Sequence, residues 1–155
     1  MFLSARITLF FLLAIALAGC DTCNKPGSGL KIENLVGTYV PDQETYALLT
    51  ELGLDRTPSI VVHPNGSFEM VDMPTIWRDW IKERPLGYEK VSGDIGMPSK
   101  GDLPITFDVN TINNTDNGFF FAGSQFCATS KGMSIQFPYR GWDIGEYLVF
   151  VPNET

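Results

Sequence analysis

The chain has 155 residues, 44% hydrophobic and 12% aromatic, which suits one packed domain and is too apolar for a disordered tail. Eighteen acidic residues against eleven basic ones give a formal net charge of −7, a balance that repels phosphate backbones and excludes nucleic acid as an expected partner. A single histidine removes most zinc and triad chemistry, so no metal or cofactor is expected.

Met1–Ala18 contains one charge, Arg6, and then an uncharged, largely apolar run from Ile7 to Ala18. As a helix that run would span about 18 Å, well short of the ~30 Å hydrocarbon core, so it reads as a signal-peptide core and not as a permanent membrane span. Leu17-Ala18-Gly19-Cys20 then resembles the lipobox of bacterial lipoproteins. The resemblance implies thioether lipidation of Cys20, cleavage before it and acylation of the new amino terminus. Two or more acyl chains, at about 0.8 kcal/mol per buried methylene, hold a protein stably on a bilayer. The other reading is an ordinary secretory signal cut after Ala18, with Cys20 left as a plain thiol. Asp21 resembles the enterobacterial signal for retention in the inner membrane.

This divides the chain into a signal peptide at 1–19, a lipidated tether at 20–31 and one β-rich domain at 32–155. The 136 residues after the leader fit a single domain. With Cys20 lipidated, Cys23 and Cys127 remain as a candidate disulfide in an oxidising compartment. Cys20-Asp21-Thr22-Cys23 also has the spacing of a redox pair, chemistry that lipidation of its first member would abolish. Asn24–Gly29 is a Pro, Gly and Ser linker.

Along the domain, Leu35–Val40 predicts a first strand ended by Pro41. Asp42 is a candidate N-cap for an amphipathic helix over 42–53, with Tyr46, Leu49 and Leu52 on its apolar face and Gly53 as its stop. Ser59–Val62 and Ser67–Val71 flank His63-Pro64-Asn65-Gly66, a β-hairpin. Met73-Pro74-Thr75 opens a second predicted helix, with Ile76, Trp77, Trp80 and Ile81 on one face and Pro85 at its end. Further strands are predicted at Tyr88–Ile95, Leu103–Val109, Gly118–Ala122, Met133–Phe137 and Tyr147–Val151. The sum is a mainly β fold, an antiparallel barrel or sandwich of about 7–8 strands with one or two short helices.

Few residues carry chemistry. His63 precedes a proline in a tight turn and reads as a solvated turn residue before it reads as a general base. Asn113–Gly118 spaces oxygen ligands like a calcium loop, but Ser124 stands where a bidentate glutamate is required, so it reads as a polar loop. Trp77 and Trp80 have two readings, packing on their own domain or forming a partly exposed interaction face for a ligand, a partner or the bilayer. No nucleophile elbow, phosphate cradle or metalloprotease helix occurs in the sequence.

Gly37-Thr38-Tyr39, Pro64-Asn65-Gly66-Ser67-Phe68, Met73-Pro74 and Trp142-Asp143-Ile144-Gly145-Glu146-Tyr147-Leu148-Val149-Phe150 give residues 37–151 a likeness to small β-rich domains of uncharacterised bacterial lipoproteins. Arg140–Gly145 stands where those chains carry a Gly-Asp-Pro-Asp-Ser-Gly-type turn. The expected role is a non-enzymatic, membrane-anchored envelope protein facing the periplasm or cell exterior. It would bind the cell wall or an envelope protein, for instance a basic hydrolase met by acidic loops at Asp94 and Asp102. Gly37-Thr38-Tyr39 also resembles the first strand of lipocalin-like barrels. That likeness implies the alternative, a small hydrophobic-ligand carrier with a cavity lined by Phe68, Phe107, Phe120 and Phe137.

Overall fold

A computed structural model describes residues 22–23, 30–77, 87–97, 105–121, 124–129, 132–139 and 146–153. Among these residues ten antiparallel strands form one sheet: β1 (Thr22–Cys23), β2 (Gly37–Pro41), β3 (Ser59–Val62), β4 (Ser67–Pro74), β5 (Tyr88–Gly96), β6 (Thr106–Ile112), β7 (Thr115–Phe121), β8 (Gln125–Thr129), β9 (Gly132–Tyr139) and β10 (Glu146–Pro152). Their spatial order is β1-β8-β9-β10-β2-β3-β4-β5-β6-β7. From β2 to β7 each strand pairs with the next in sequence, β8 to β10 do the same, and β10 returns to pair with β2. The circuit stays open between β7 and β8, and the two-residue β1 lies along the outer edge of β8.

Local chemistry explains most of these elements. The β3–β4 hairpin closes on His63–Gly66, where Gly66 takes a φ of 85° and donates to the His63 carbonyl at 2.9 Å. Helix α1 (Gln43–Glu51) starts at Asp42, whose Oδ1 accepts from the Thr45 amide at 2.8 Å, and stops at Gly53 with φ 75°. Asn113 and Asn114, with φ of 49° and 63°, form a two-residue turn between β6 and β7. Positive φ at both central positions is the turn geometry that matches strand twist, and asparagine tolerates it.

Several expectations change. The second helix is not formed at its start. β4 instead runs on through Pro74, with Met73 opposite Glu89 and Pro74 opposite Tyr88, before a single 3-10 turn at Thr75–Trp77. Cross-strand pairing with β5 outcompetes the local helical pattern, assisted by a bulge between Met70 and Met73 at which Asp72 adopts a φ of 51°. Trp80 and the rest of that segment lie outside the described residues. Tyr46 is 53% exposed and not on the buried face of α1, which carries Thr45 and Leu49. Asn113–Gly118 is a hairpin turn leading into a strand, not an extended polar loop, so β7 starts three residues earlier than expected. β6 extends three residues further than expected, and β8 is an additional strand.

The core is aromatic. Phe107 of β6 lies edge-on to Phe68 of β4, with centroids 4.8 Å apart, and stacks with Phe126 of β8 at 5.6 Å. Phe137 of β9 contacts Phe107, Phe150 and Trp77 at 5.5, 5.9 and 5.6 Å. The sheet therefore curls until β6 and β8 share one interior. Each such ring buries 150–250 Å², which makes this cluster the chief source of stability. Tyr39 joins the core with its phenol donating to the Leu35 carbonyl at 2.7 Å, and burial pushes that phenol from 10.0 up to about 12.

Candidate functional site

Helix α1 packs across β10 and leaves an open groove of about 550 Å³ between them. Its base is fixed by the backbone of Val149. The Val149 amide donates to Thr45 Oγ1 at 2.8 Å, and the Asp42 amide donates to the Val149 carbonyl at 2.9 Å. These bonds explain why a threonine occupies the buried face of the helix: its hydroxyl satisfies a sheet amide that no strand partner reaches.

The lining combines two kinds of surface. Leu48, Leu52, Tyr139, Tyr147 and Val149 supply aliphatic and aromatic contact, while Asp42, Glu44, Glu51 and Glu146 supply carboxylates. Glu44 and Glu51 are seven residues apart on the helix, so they project from the same side about 10 Å apart along its axis. Among the described residues that line the groove there is no lysine or arginine. Such a surface favours a cation carried on an apolar stem, the chemistry of lysine and arginine side chains. Among the described residues no group of three His, Cys, Asp or Glu side chains is arranged to hold a metal ion.

The residues singled out from sequence are placed as follows. Trp77 is fully buried and donates from Nε1 to Glu89 Oε2 at 3.3 Å, so it belongs to the core and not to an exposed face. Phe68, Phe107 and Phe137 interlock with other rings at the distances given above; the Phe120 side chain lies outside the described residues. His63 sits in the hairpin turn, 3.9 Å from Glu69 across the strands. Asp94 is on β5, where it accepts from Asn110 Nδ2 at 2.9 Å; Asp102 and Cys20 lie outside the described residues. Cys127 is buried and disulfide-bonded, and the β1–β8 register sets Cys23 directly opposite it.

Sequence reading missed the groove. Its only local trace is Glu44 and Glu51 on the helix that Asp42 caps, and Glu146 joins them solely because β10 crosses beneath α1. Among the described residues no helix is long and apolar enough to cross a membrane. Comparison of the chain with protein-family models, curated proteins and solved structures finds no match.

Proposed function

We propose that this chain is a lipid-anchored, non-enzymatic binding module of the bacterial envelope, and that the groove beside α1 receives a basic segment of an envelope protein. The anchor rests on Leu17-Ala18-Gly19-Cys20 and the short tether that follows. The binding role rests on one observation above others: among the described residues, four carboxylates line a concavity whose base is aliphatic and aromatic. Two carboxylates about 10 Å apart suit long basic side chains two positions apart on an extended segment, which share a face about 7 Å apart and splay to reach both. The stems of those residues would lie on Leu48, Leu52 and Tyr147. The net charge of −7 adds long-range attraction for a basic partner, which speeds encounter and fades with salt.

The test uses a fluorescent lysine–leucine peptide as probe, titrated into the protein and into a Glu44→Gln/Glu51→Gln variant. Exposed ion pairs contribute about 0.5 kcal/mol each, so removing two weakens binding roughly fivefold at low ionic strength. Equal affinity for both proteins, or binding indifferent to salt, refutes the assignment of the groove.

A further inference from the structure

We infer that a Cys23–Cys127 disulfide clamps the tether onto the β8 edge and makes β8, not Lys31, the point at which the domain hangs from its anchor. Cys127 is disulfide-bonded and fully buried, and the sequence offers it two possible partners, Cys20 and Cys23. The antiparallel register pairs Thr22 with Ala128 and Cys23 with Cys127. Directly opposed residues of an antiparallel pair have Cα atoms about 4.5–5.5 Å apart, inside the range a disulfide spans. The register assigns the position opposite Cys127 to Cys23 and to no other cysteine. Forming the bond removes one hydrogen from each thiol. The two electrons pass to a disulfide-donating oxidase or a small-molecule disulfide of the oxidising compartment.

The edge itself favours this arrangement. β8 pairs with β9 on one side, and on the other β1 takes the place that β7 leaves unpaired at the open seam. The linker between Cys23 and the domain is thereby bypassed. Without the clamp, the eleven steps from Cys20 to Lys31 allow a reach of about 40 Å at ~3.5 Å per residue; with it, three steps allow about 10 Å. β10, which forms one side of the groove, is two strands from β8, a further ~10 Å at the usual strand spacing. The clamp therefore keeps the groove beside the bilayer surface. This last consequence rests on the lipid anchor proposed above, whereas the clamp does not.

The experiment inserts a site-specific protease sequence between Gly27 and Ser28 of the full chain and cuts the purified lipidated protein. Under non-reducing conditions the cut chain is expected to run as one covalent species and to separate into two only after dithiothreitol. Cys23→Ser is expected to separate without reductant, and Cys20→Ser to stay joined. Separation of the parent protein without reductant overturns the clamp, as does separation of Cys20→Ser, which would make Cys20 the partner of Cys127. Flotation of the same cut sample with phosphatidylglycerol-containing vesicles reads the anchor separately. The domain is expected to float when oxidised and to be left behind when reduced. A joined chain that fails to float refutes the anchor and supports the clamp.

Discussion

Replacing Cys23 with serine removes the clamp without touching the core, and its cost follows from the loop it closes. Cys127 lies 104 positions after Cys23, so the loop encloses β2 to β7 and leaves β9 and β10 outside it. In the chain-entropy treatment a loop of about 100 residues restrains the unfolded chain by about 4.7 kcal/mol, which the reduced protein forfeits. For a domain this size, with an unfolding entropy of about 2.1 cal/mol/K per residue, that loss lowers Tm by roughly 15–20 °C. Urea unfolding monitored by tryptophan fluorescence suits the measurement, because Trp77 is buried against Phe137 and changes environment when the core opens. The parent and Cys23→Ser proteins should differ by several kcal/mol under oxidising conditions and coincide in dithiothreitol. A difference below about 1 kcal/mol, or one that persists after reduction, refutes the reasoning, since the mechanism acts on the unfolded chain and vanishes with the bond.

Gly93 sits at the bulge where β5 passes β6, and a methyl there would collide with the Asp108 carbonyl, a backbone group unable to step aside. Gly93→Ala should therefore cost about 3 kcal/mol in urea unfolding, while Gly118→Ala, with open space around it, should stay within about 0.5 kcal/mol of the parent. Tyr39→Phe strips the buried Leu35 carbonyl of its donor and should cost about 1 kcal/mol at neutral pH. The same tyrosine makes the fold alkali-sensitive. Its phenol titrates at 10.0 when unfolded and about 12 when folded, so its contribution is complete below pH 10.0 and declines as pH rises toward about 12. Circular dichroism across that window should show a shallower stability loss in Tyr39→Phe than in the parent.

How much the sequence disclosed depended on the range of the interactions concerned. Asp42 and the Pro64-Asn65-Gly66 turn act within a few residues, so the helix start and the β3–β4 hairpin could be read directly. The second helix does not begin at Met73 and Pro74 because the competitor is distant: these residues pair with Glu89 and Tyr88, beyond any local window. Asn113 and Asn114 concealed a hairpin because two asparagines at positive φ do the work usually marked by glycine. The apolar positions of α1 were displaced for a related reason. Thr45 faces inward to satisfy the Val149 amide, which rotates Tyr46 into solvent. The groove is a product of topology alone, since β10 pairs with β2 beneath the helix and brings Glu146 into the same groove lining as Glu44 and Glu51. Cys23 and Cys127 were countable as a pair from composition, but only the β1–β8 register aligns their backbones.

Intact-mass and amino-terminal peptide spectrometry of the protein extracted from bacterial membranes tests the proposed lipid anchor on Cys20 most directly. The expected species starts at Cys20 and carries a diacylglyceryl thioether with an acylated amino group. A chain from the same membranes that retains residues before Cys20, or begins at Cys20 with a free thiol, would contradict it.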